Sequence, residues 1–155
     1  RSTLFPYTTL FRSQPLAMSR HALRRLSPVD LVAAVVARVS GGTGVRCVLD
    51  PGDEESPLYS VSLTGMRPER SKSLRIDVYE LQVHAISAPS RTSEAALSMV
   101  WALQEAMEAD IELPRPFCLV RQDDMGLQSV KRDPTGEWHA VVAYEVTVSY
   151  GLMVK

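Results

Sequence analysis

Seven apolar residues at a spacing of two, Trp138, Ala140, Val142, Tyr144, Val146, Val148 and Tyr150, form the clearest strand pattern in this chain. His139, Val141, Ala143, Glu145, Thr147 and Ser149 interleave with them. Successive side chains of a strand point to opposite faces, so the first set predicts a face buried against helices and the second a partly wet one. Leu58 to Met66 alternates in the same way, with Tyr59, Val61 and Leu63 on one side and Leu58, Ser60 and Ser62 on the other. In Leu74 to Ser87 the apolar set changes phase, from Leu74, Ile76 and Val78 to Tyr79, Leu81, Val83 and Ala85. Such a change predicts a bulge or a change of buried face. Val45 to Leu49 is a short strand candidate, stopped by Asp50-Pro51-Gly52-Asp53. Phe117 to Val120 and Leu127 to Arg132 read as extended segments split by Gln122-Asp123-Asp124-Met125-Gly126. Asp133-Pro134-Thr135-Gly136 then gives a tight turn into the last strand.

Two segments carry a helical period instead. Ser27-Pro28-Val29-Asp30 predicts a helix start, with Ser27 as cap, Pro28 in the first turn and Asp30 near the positive end of the dipole. Leu31, Val32, Val35, Val36 and Val39 continue the helix, and Gly41-Gly42 is expected to end it. The second helix is predicted from Ser93 to Ala109. Its stripe is Ala96, Met99, Val100, Leu103 and Met107, widened by Leu97 and Trp101. The order α-β-β-β-α-β-β predicts an α+β fold, an antiparallel sheet of about four strands with two helices packed on one face.

The N-terminus changes this picture. Thr3 to Ser13, TLFPYTTLFRS, resembles the codon-by-codon translation of a sequencing adapter. Residues 1–17 are therefore expected to be a non-native leader and 18–155, from Met18, a single α+β domain. The whole chain carries 17 basic and 18 acidic residues; without Arg1 and Arg12 the formal charge falls from −1 to −3. That balance is not one of a basic nucleic-acid binder, and no stretch approaches the roughly 20 apolar residues that span a bilayer. Ser19 to Leu26, with Arg20, Arg24 and Arg25, reads as a short turn or a solvated basic arm without a function.

Candidate chemistry is sparse. Cys47 and Cys118 have no CxxC spacing and read as reduced, half-buried thiols. His21, His84 and His139 share no ligand spacing, so neither a metal nor another cofactor is expected. Asp77 and Glu80 on the long strand, and Asp123 with Asp124, are the acids that an acid–base pair would use. The adjacent pair lies in turn-like sequence and reads as solvated. Serine lies in no GxSxG elbow, and Gly41-Gly42-Thr43-Gly44 lacks the lysine of a phosphate loop and reads as a helix stop. No catalytic residue is assigned. The polar segment Arg67 to Ser73 is predicted as an exposed hairpin tip, with Arg67, Arg70 and Lys72 against Glu69. It is either a solvated turn or a contact loop for another protein. It has no aromatic residue for stacking on bases.

From Met18 onward the layout resembles the tail-terminator (tail-completion) family of long-tailed bacteriophages. The resemblance rests on the opening helix, the segment Pro57-Leu58-Tyr59, the polar tip, and the strand LRIDVYELQVHAIS. The helix SEAALSMVWALQEAM and the closing pair LQSVKRDPTGEWHAVVAYEVTVSYG complete it. It implies a virion assembly protein, a homohexameric ring at the head-proximal end of the tail tube that meets the head connector. The tube protein, the connector and other copies of the chain would be its partners, with Arg67, Arg70 and Lys72 as interface residues. A head-closure or neck adaptor, or a small cytosolic α+β enzyme or ligand-binding module, are the alternatives.

Overall fold

The computed structural model describes residues 24–152, so the leader expected over 1–17 and the start at Met18 lie outside the described residues. Helix α1 runs Pro28–Thr43 and α2 Glu94–Met107. The strands are β1 Cys47–Val48, β2 Leu58–Glu69, β3 Leu74–Ser87, β4 Cys118–Arg132 and β5 Trp138–Leu152. They form one sheet in the order β1-β2-β3-β5-β4. The element order is the expected one, but the sheet has five strands and is mixed, because β1 runs parallel to β2.

Helix α1 begins as its sequence dictates. The Ser27 hydroxyl accepts from the Val29 N–H at 3.2 Å, and Pro28 occupies the first turn, where its missing N–H costs nothing. It does not stop at Gly41-Gly42. The helix continues to Thr43 and ends at Gly44, whose φ of 71° gives the left-handed cap. Gly42 instead serves packing. A Cβ placed on it would lie 2.5 Å from the Ala106 Cβ, so glycine lets α1 and α2 touch there. The Arg38 Nε donates to the Ala106 carbonyl at 2.7 Å beside this contact.

Both helices cover one sheet face. Leu31, Val35 and Val39 of α1 and Ala96, Leu103 and Met107 of α2 pack with Tyr59, Tyr79, Leu81, Val83, Val142 and Tyr144 in a single core. The Tyr59 hydroxyl donates to the Met99 carbonyl at 2.7 Å, tying sheet to helix with a satisfied polar group. On β5 the expected alternation holds through Ala140, Val142, Tyr144, Val146, Val148 and Tyr150, all buried. The phase change of β3 has a plain cause. Tyr79, Leu81, Val83 and Ala85 join the core, while Val78 is buried on the opposite face, across from Arg67 and Thr147. The register shifts lie elsewhere, between Leu63 and Gly65 of β2 and between Leu74 and Ile76 of β3.

Three expectations change. Strand β4 is continuous where a break was expected at 122–126. It absorbs the polar residues in register shifts at Leu119/Arg121, Asp124/Gly126 and Leu127/Ser129, with Gly126 at a φ of 90°. Leu97 and Trp101 do not widen the buried stripe of α2; they are 45% and 66% exposed. Cys47 is buried and its thiol is pushed up to about 12 by desolvation, whereas Cys118 is exposed rather than half-buried.

Candidate interaction surface

The three cations expected at one tip have different surroundings. Arg67 lies in β2, paired with Val78, not in the loop. Its guanidinium reaches across the open sheet face to Glu80 of β3 and to Glu145 of β5, at 3.1 Å from the latter. The hydrogen bond to Glu145 is the main reason it titrates above its ordinary value. Gly65 makes room for this group, since a Cβ there would approach the Glu80 carboxylate at 2.7 Å. Only Arg70 and Lys72 remain in the turn between the strands. Both are exposed, and neither joins an ion pair among the described residues. The Ser71 hydroxyl accepts from the Leu74 N–H at 3.1 Å and shapes this turn.

At the other side of the molecule, α2 and the edge strand β4 enclose a groove of about 480 Å³. Trp101, Glu105 and Glu108 line it from the helix, Asp124 and Gln122 from β4, and Tyr144 from β5. Gln122 was hidden in the segment read as a break. Its Nε2 donates to the Met107 and Ala109 carbonyls at 2.6 and 3.2 Å, and its Oε1 accepts from the Ile111 N–H. These bonds satisfy backbone groups that the helix end leaves without partners. Asp124 accepts from Gln104 at 2.9 Å and from the Gly126 N–H. Burial, with Asp124 adding to it, pushes the Tyr144 hydroxyl well above its ordinary range. Val120, Met125 and Leu127 on β4 are exposed.

The acids do not assemble into catalytic pairs. Asp77 sits on the core face with Arg25, and Glu80 on the opposite face with Arg67, as three residues of strand separation demands. Asp123 pairs with Arg121 at 2.5 Å. Arg25, read as part of a solvated arm, is thus the partner of a buried carboxylate at 3.1 Å.

Among the described residues, one group of possible metal ligands converges, Asp133, Glu137 and His139, with donor atoms within 4.8 Å. Sequence spacing pointed away from such a group, and the β4–β5 turn creates it. Its donors are already engaged. The Asp133 Oδ1 accepts from the Thr135 and Glu137 N–H groups, Oδ2 faces the His139 Nε2 at 3.1 Å, and Glu137 accepts from the Ser56 hydroxyl. These bonds close the turn, in which Gly136 takes a φ of 91°.

His84 lies between Ser60 and Val141 on the open face. Burial, and then the nearby His139, hold its pKa below the ordinary 6.5. The folded state therefore binds this proton less readily than the unfolded chain does, and stability falls as pH drops from 6.5 towards the folded pKa. Urea midpoints measured between pH 7.5 and 5 should decline, and His84→Gln should flatten part of that decline. An unchanged slope in the variant would remove His84 as the cause.

A family model described as "Putative tail termination protein" matches residues 22–155. A chain from the virion of a native gene transfer agent particle shares the fold with a TM-score of 0.65 at 16% identity, over 78% of this chain and 96% of that one. No curated protein matches. With the family model covering all the described residues, the chain belongs to the phage tail terminator family, and its work is structural, not catalytic.

Proposed function

We propose that the protein caps the head-proximal end of the phage tail tube as a homohexameric ring and presents a surface there to the head connector. Membership of the tail terminator family carries this reading. The shape of the molecule supports it. The outer edge of β4 has no strand partner among the described residues and exposes Val120, Met125 and Leu127. Exposed apolar residues on a free edge are a liability for a monomer and an asset for a subunit that closes its edges against neighbours. Arg67, Arg70 and Lys72 belong to the contact surface in different ways. Arg67 stiffens the hairpin by its pairing with Glu80 and Glu145, and Arg70 with Lys72 offers charge to a partner.

Light scattering after size exclusion tests the proposal, on the chain alone and with its tail-tube protein. The expected result is a six-subunit mass, or its appearance once tube ends are present, together with shorter tubes in electron micrographs. A chain that stays monomeric in both conditions and leaves tube length unchanged would refute it.

A further inference from the structure

We propose that, in the ring, the β2–β3 tip of one subunit inserts Arg70 and Lys72 into the groove between α2 and β4 of its neighbour. This deepens the ring reading and rests on it. Glu105 and Glu108 stand in the last turn and cap of α2, where the helix carries no basic residue. Carboxylates there meet the negative end of the helix dipole, so the site lacks the cation that helix ends favour. Neither acid has an ion-pair partner among the described residues. Trp101, 66% exposed, offers an aromatic face at the same groove for a cation to cover.

A second observation at the groove is independent of its acids. Tyr144, 2% exposed, forms part of the groove wall, and its hydroxyl has no hydrogen-bond partner among the described residues. A buried polar group without a partner is costly, so this wall of the groove is left incompletely satisfied in the single subunit. The occupant argued for is a second copy of this chain, because the complementary charge is its own. Arg70 and Lys72 are exposed cations of the tip, and neither has an ion-pair partner among the described residues.

The placement of the two surfaces fits a ring. In the order β1-β2-β3-β5-β4, the tip joins β2 to β3, while the groove lies at the β4 edge. A head-to-tail contact between two different surfaces, one tip and one groove from each subunit, repeats around a closed ring.

Two charge-reversed variants test the contact, Arg70→Glu/Lys72→Glu and Glu105→Lys/Glu108→Lys. All four residues are exposed, and lysine at the end of α2 suits the dipole, so both variants should fold. Circular dichroism and thermal melts check that they do. Each alone should self-associate more than about ten-fold more weakly than the wild type, since like charges then face each other. A 1:1 mixture should recover the assembly, with native mass spectrometry showing equal numbers of the two chains. Every contact in an alternating ring is again complementary, which requires an even number of subunits. A wild-type ring that tolerates both reversals, or a mixture that stays dissociated, overturns this contact and leaves the ring reading standing. A wild-type chain that never assembles overturns both.

Discussion

Gly42→Leu is expected to lower the unfolding free energy by about 3 kcal/mol, while Gly41→Ala, one position earlier in α1, should raise it by about 0.5–1 kcal/mol. Nothing lies within 4 Å of a Cβ built on Gly41, so alanine there gains helix propensity without a clash. At Gly42 the same atom would sit 2.5 Å from the Ala106 Cβ and 3.1 Å from its Cα. The second of these is backbone, and no rotamer change relieves it. The helices must separate, and the separation pulls on the Arg38 bond to the Ala106 carbonyl. Urea unfolding of the two variants measures the contrast. Moving the methyl group across the contact, in Gly42→Ala with Ala106→Gly, should recover part of the loss of Gly42→Ala alone. Equal stabilities for Gly41→Ala and Gly42→Ala would show that the helices do not touch there.

That pair of glycines also marks where the sequence stops being legible. Local signals were read correctly where the chain itself decides the outcome. The Ser27 cap, the alternation along β5 and the limits of β3 depend on neighbours a few residues away. Gly41-Gly42 looks like a helix stop by the same local logic, yet the close approach of α2, more than sixty residues later, gives Gly42 its reason. Strand β4 failed for a related cause. Bulges at three places spoil its period, and Gln122, Asp124 and Gly126 resemble a turn until β5 lies beside them. Leu97 and Trp101 followed the helical period of the stripe, but at that period the core-facing arc of α2 ends short of them. As for the candidate contact residues, composition identified the basic tip, but only the strand pairing separates Arg67, held by Glu80 and Glu145, from Arg70 and Lys72. The groove of α2 and β4 could not be read at all, since it joins two elements that sequence treats separately.

Tyr150→Phe is expected to cost about 2–3 kcal/mol, because it takes a charge-assisted hydrogen bond from a buried carboxylate. Asp77 is 1% exposed; its Oδ2 accepts from the Tyr150 hydroxyl at 2.8 Å and from the Arg25 Nε at 3.1 Å. Its Oδ1 has no partner among the described residues, so little else compensates the charge. The Tyr79 hydroxyl stands 2.6 Å from that of Tyr150 and 3.0 Å from the Leu26 carbonyl. Two hydroxyl protons thus serve three contacts, and the carboxylate, as the strongest acceptor, holds that of Tyr150. The phenylalanine ring would keep the edge-on packing against Phe117, now at 5.6 Å between ring centres, so the loss isolates the hydroxyl. A double-mutant cycle with Asp77→Asn decides whether a stranded charge is the cause. In the asparagine background the same Tyr150→Phe change should cost clearly less, because a neutral amide loses less when a donor is removed. Equal costs in both backgrounds would mean that the hydroxyl acts through Tyr79 and the Leu26 carbonyl, and that Arg25 alone holds Asp77.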